Sequence, residues 1–187
     1  MAGLAEADGG GRRINWRAIG WSAAAALLLL PLIAMQFNDE VAWTGADFLF
    51  AAVLIGGTGL ALEGAARISR DRYYRAGVAV ALAASVLLIW VNGAVGIIGD
   101  EDNPLNLLYA AVLAAALAGA LIARFRPAGM ARAMAGAAAV QALVSLVALT
   151  FDGAYVAMLS AAWVALWLGS AWLFRRAARG QNPPATI

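Results

Sequence analysis

Residues 105–150 read LNLLYAAVLAAALAGALIARFRPAGMARAMAGAAAVQALVSLVALT. Two apolar runs, Leu105–Ala123 and Met130–Thr150, flank a turn rich in arginine, with Arg124, Arg126 and Arg132 in or beside it. Each run has the length of about 20 residues that a helix needs to cross a hydrocarbon core of about 30 Å. An arginine-bearing connection that short implies that the two helices return on each other at one membrane face.

Working outward from this pair, four more runs qualify: Arg17–Gln36, Asp47–Ala66, Ala76–Ile98 and Tyr155–Phe174. The sequence therefore predicts an all-α membrane protein, a bundle of six transmembrane helices. Residues 1–16 and 175–187 form its terminal tails, and 17–174 the membrane domain. The last two helices are separated only by Phe151-Asp152-Gly153-Ala154, where Asp-Gly is a turn signal. The run Ile19–Met35 follows positive charge but ends in Gln36-Phe37-Asn38-Asp39-Glu40. That is no small-residue cleavage site, so it is expected to stay as the first helix.

The composition agrees. Of 187 residues, 64% are hydrophobic and 13% charged, whereas a soluble domain carries about 25% charged residues. All 13 basic residues are arginine. They fall before helix 1, between helices 2 and 3 (Arg67, Arg70, Arg72, Arg75), between helices 4 and 5, and after helix 6 (Arg175, Arg176, Arg179). In a six-helix topology these positions share one face. The opposite loops hold Asp39, Glu40, Asp47, Asp100, Glu101, Asp102 and Asp152 without arginine. Both termini are accordingly expected in the cytoplasm. The Ala, Gly and Arg bias without Lys points to a bacterial genome and its inner membrane.

Aromatic residues fit this orientation. Trp43 on the outer side, and Trp16, Trp21, Trp172, Tyr73 and Tyr74 on the inner side, read as interfacial anchors. Trp163 and Trp167, one turn apart and deeper, read as a packing face. A weak internal repeat also shows. Asp47-Phe48-Leu49-Phe50-Ala51-Ala52-Val53-Leu54 aligns with Asn106-Leu107-Leu108-Tyr109-Ala110-Ala111-Val112-Leu113. The chain then reads as three tandem helical hairpins, unlike the inverted repeats of many transporters.

Missing residue types exclude much chemistry. Without Cys, His or Lys there is no disulfide, thiolate metal site, axial haem histidine or Schiff-base lysine. Gly96-Ile97-Ile98-Gly99-Asp100 lacks the spacing of an intramembrane aspartyl protease, and a serine nucleophile would have no histidine or lysine base. No catalytic residue, no cofactor and no nucleic-acid partner is expected.

The candidate site lies on the outer face. Asp39, Glu40, Asp100, Glu101, Asp102 and Asn103, with Asn92 a little deeper, offer oxygen ligands to a divalent cation or a ligand. The competing reading is that these acids mark the translocated side and cap helices. Thr44-Gly45-Ala46-Asp47 fits a capping box, and Asn103-Pro104 an N-cap with Pro in the first turn. Asp152 is expected to cap helix 6. Within the membrane, Glu63 pairs with Arg67 one turn on or serves as a relay. Gln141 and Asn92 bond across helices. Gly56, Gly57, Gly59 and Gly119 read as close-packing positions. The expected function is a non-catalytic accessory or assembly component of a membrane complex, or a homo-oligomer. The alternatives are a small transporter or channel for a cation or solute, and a cation-binding sensor.

Overall fold

The computed structural model describes residues 15–38, 41–100 and 102–181. It is helical throughout, with no strand among the described residues. Six helices are long and apolar enough to cross a membrane. The first four helices are α1 (Trp16–Ala34), α2 (Gly45–Ile68), α3 (Arg72–Val95) and α4 (Leu108–Ile122). A 3₁₀ turn, Pro104–Leu107, leads into α4. The segment Pro127–Gln181 is helical apart from Gly153, at φ 80° and ψ −173°. That residue divides it into α5 (Pro127–Phe151) and α6 (Gly153–Gly180). The Asp-Gly signal was therefore placed correctly, because only glycine takes such a φ without strain. The side chain of Asp152 lies outside what is described.

Local chemistry explains the boundaries. Asn15 caps α1 by accepting from the Ala18 N–H at 3.2 Å. Asp71 caps α3 by accepting from the Tyr74 N–H at 2.8 Å. This cap starts α3 at Arg72, a full turn before the expected Ala76, and Gly96 ends it before the expected Ile98. Hydropathy places a helix where the apolar run begins, whereas caps place it where the backbone finds partners. For the same reason Arg175, Arg176 and Arg179 belong to α6 and do not follow it.

The chain divides into two compact units, Met1–Gly59 and Leu60–Ile187. In the first, Ala51 is the only described residue that is buried. The Trp21 ring lies against Gly59, where an added Cβ would meet it at 3.2 Å. Trp43 packs edge-on against Phe48, with ring centroids 5.2 Å apart.

The second unit holds the core. There α3 and α4 pack chiefly against the α5–α6 segment. Trp167, Phe174, Leu88, Val112 and Tyr109 are fully buried. Trp163 donates its indole N–H to the Ala84 carbonyl at 3.1 Å, and Ser170 its hydroxyl to the Gly77 carbonyl at 2.8 Å, joining α6 to α3. Trp163 and Trp167 thus form the expected packing face. Gly119 lets α4 approach α5, since a Cβ there would stand 2.7 Å from that of Ala133.

Tyr74 departs from its expected place in an interfacial loop. It is buried in α3, stacks edge-on against Phe174, and donates its hydroxyl to the Phe125 carbonyl at 2.9 Å. Tyr73 stays near the surface between Arg72 and Arg176, whose guanidinium carbons lie 4.9 and 5.7 Å from its ring centroid. Arg176 also covers Trp172 at 4.3 Å. These contacts gather the arginine-bearing segments around 67–75, 124–132 and 175–179 at one end of this unit.

Candidate functional site

The loop between α3 and α4 is organised by a residue that the sequence places within the internal repeat, Asn106. Its side chain is buried. Its Oδ1 accepts from the backbone N–H groups of Ile97 at 3.0 Å and Ile98 at 2.9 Å. Its Nδ2 donates to the carbonyls of Ile98 at 3.2 Å and Asp100 at 2.6 Å. One amide thereby satisfies four backbone groups of a loop that buries Ile97 and Ile98. Unsatisfied, each such group costs about 1–3 kcal/mol.

Two glycines make the path possible. Gly96 has φ 67° and Gly99 φ 69°. A Cβ on Gly96 would collide with the Asp100 carbonyl and lie 2.8 Å from Asn106 Nδ2. Gly96 thus makes room for the loop's own backbone, and Gly99 for the side chain of Asn103.

Of the candidate residues, the structure brings Asn92, Asn103 and the backbone of Asp100 together around Asn106. Asn92 Nδ2 donates to the Asn106 carbonyl at 3.3 Å. Its Oδ1 is buried and makes no hydrogen bond among the described residues. Asn103 caps the 3₁₀ turn, accepting from the Leu105 N–H at 3.0 Å, as the Asn-Pro pattern predicts. Asp100 and Asp102 are exposed. Asp39, Glu40 and Glu101 lie outside the described residues. Among the described residues no three acidic groups converge as metal ligands.

The cap of α2 also forms. Thr44 donates both its backbone N–H and its hydroxyl to Asp47 Oδ2, each at 2.7 Å, and Asp47 N–H returns to the Thr44 hydroxyl at 3.4 Å. That reciprocity is the capping box read from the sequence.

The intramembrane candidates lie apart from this loop. Gln141 is fully buried between α5 and α6. Its Nε2 donates to the Ser160 hydroxyl at 3.0 Å and carbonyl at 3.3 Å. Tyr109 reaches the same hydroxyl from α4 at 3.1 Å, and Ser145 lies 3.1 Å from it. This network fastens three helices, with Gln141 Oε1 left unbonded among the described residues. It holds no carboxylate or amine, so it offers no proton acceptor near neutral pH. Sequence reasoning found Gln141 but missed Ser145, Ser160 and Tyr109, whose hydroxyls are ordinary in helices. Glu63 lies 3.4 Å from Arg67 NH2, one turn on, as expected.

The polar groups of the α3–α4 loop and of the core are thus spent mainly on backbone and interhelical bonds. The concavities of the second unit include an apolar one and a basic one. The first is a groove of about 530 Å³, bordered by α3, α4, the end of α2 and the α5–α6 segment. The other, of about 470 Å³, is lined by Arg124, Arg126 and Arg132 at the α4–α5 turn. No protein-family model, curated protein or solved structure matches this chain.

Proposed function

We propose that this multi-pass protein is a non-catalytic accessory or assembly component of a complex in the bacterial inner membrane, with both termini cytoplasmic. One observation carries the reading. Within the first unit the small-residue face of α2 is open: a Cβ on Gly56 or Gly57 would meet nothing within 4 Å. Beside it, Val53 is 65% exposed. Small residues in membrane helices let another backbone approach closely, since lipid gives no hydrophobic drive for helices to associate. The sequence reading took these glycines as packing positions, and the described residues leave them unfilled. The partner surface is a transmembrane helix, from another protein or from a second copy.

The test is Gly57→Leu in the full chain, extracted from its own membrane in mild detergent. The wild type is expected to migrate as a larger assembly on a native gel. The variant should migrate as the lone chain with unchanged helix content. A wild type that migrates alone, or a variant that stays assembled, defeats the reading. Saturable cation flux in liposomes containing only this protein would put transport in its place.

A further inference from the structure

We infer that the second unit binds one anionic phospholipid, with an acyl chain in the apolar groove and the phosphate at the α4–α5 turn. The groove is lined almost wholly by carbon. Its rim includes exposed Ile68, Leu117 and Phe125, and its floor buried Tyr74, Met134 and Trp167. The lining hydroxyls are already engaged: Tyr74 on the Phe125 carbonyl at 2.9 Å, and Ser85 on the Ala81 carbonyl at 2.9 Å. Such a surface suits a hydrocarbon chain and offers little to a polar solute.

The charge at one end selects the headgroup. Phe125 and Met130 line the groove, while their chain neighbours Arg124, Arg126 and Arg132 line the basic concavity. All three arginines are exposed, and none has an ion pair among the described residues. Elsewhere at this end, several arginines are engaged. Arg67 is on Glu63, Arg75 bonds the carbonyls of Ser69 and Ala66, and Arg176 stacks on Trp172 and Tyr73. Arg126 also precedes the N-terminus of α5, where the helix dipole is positive and disfavours a cation. An anion beside the three arginines relieves that repulsion and their own.

The turn is held in an unusual shape. Arg124 and Phe125 have φ 49° and 57°, a conformation that non-glycine residues avoid. The Tyr74 hydroxyl on the Phe125 carbonyl secures it. This fixes Arg124 and Arg126 on either side of the residue that lines the groove. Basic pockets between helices at an arginine-rich membrane face are suited to anionic headgroups.

The experiment measures thermal unfolding of the full chain in neutral detergent. Added lipids are phosphatidylglycerol, phosphatidylcholine with the same acyl chains, or inorganic phosphate. A basic residue at an anionic surface contributes about a fivefold preference. Phosphatidylglycerol is expected to raise the midpoint saturably and to act at least fivefold below the phosphatidylcholine concentration. Arg124→Gln, Arg126→Gln and Arg132→Gln together should abolish that preference. If the triple variant fails to fold, Arg132→Gln alone should lower it about fivefold. Gly64→Phe fills the groove from a position where an added Cβ meets nothing within 4 Å. It should weaken both lipids. Equal action of the two lipids on the wild type overturns the inference. So does a preference that survives loss of the arginines, an equal effect of inorganic phosphate, or lipid binding indifferent to Gly64→Phe.

Discussion

The two halves of the internal repeat begin alike and fold differently. Asp47 and Asn106 occupy equivalent positions, followed by Phe48-Leu49-Phe50 and Leu107-Leu108-Tyr109. Asp47 stays exposed and serves only the first turn of its own helix, through Thr44. Asn106 is buried and binds a loop eight or nine residues away. The burial faces are also rotated. Phe50 and Val53 are exposed at 50% and 65%, while their counterparts Tyr109 and Val112 are buried. In the other register Ala51 is buried and its counterpart Ala110 exposed. A shared pattern of apolar residues specifies a membrane helix, since lipid accepts any face. Which face turns inward is decided by the few polar groups that need partners.

Substitutions can break this contrast at its strongest point first. Asn106→Leu keeps the branching at Cγ and removes every side-chain bond to the loop. It leaves the buried N–H groups of Ile97 and Ile98 without acceptors. The expected loss is about 3–4 kcal/mol in stability, read from unfolding in detergent. A loss below about 1 kcal/mol would mean that the loop re-forms on other partners.

Gly96→Ala comes next. It forces a Cβ into the positive-φ region and against the Asp100 carbonyl. About 2–3 kcal/mol is expected, since strain and collision act together. The matching control is Gly57→Ala, which meets nothing within 4 Å and should leave stability unchanged or slightly raised through helix propensity.

Tyr109→Phe makes the second repeat resemble the first. It removes the hydroxyl bonded to Ser160 while keeping the buried ring. A loss of about 1 kcal/mol is expected. The reciprocal Phe50→Tyr places a hydroxyl on an exposed ring and should cost little. Equal effects at the two sites would deny that burial separates the repeats.

How much was legible follows the same division. The six helices were readable because twenty-residue apolar runs are long signals, and the caps at Thr44 and Asn103 were readable because Thr-x-x-Asp and Asn-Pro act locally. The start of α3 was missed because Asp71 stands in a charged stretch, Arg70-Asp71-Arg72, that reads as a loop. Tyr74 was misplaced because an aromatic residue beside arginines looks like an interfacial anchor. Its burial depends on Phe174 and Phe125, which are remote in sequence. Asn106 was passed over because its partners are backbone groups, which leave no mark in the sequence. The two glycines Gly96 and Gly99 shortly before an asparagine were the available clue.

The smallest expected effect tests the weaker half of the repeat. Asp47→Asn gives α2 the residue that stands at the equivalent place in the second repeat. The amide oxygen can still accept from the Thr44 N–H, so the capping geometry survives. What is lost is a negative charge in the first turn of a helix, contributing about 0.3–1 kcal/mol. A change of about 0.5 kcal/mol is therefore expected, lessened by added salt as a charge–dipole effect should be. A loss as large as that of Asn106→Leu would mean that Asp47 reaches beyond its own helix. The two repeats would then share a function that their local hydrogen bonds do not reveal.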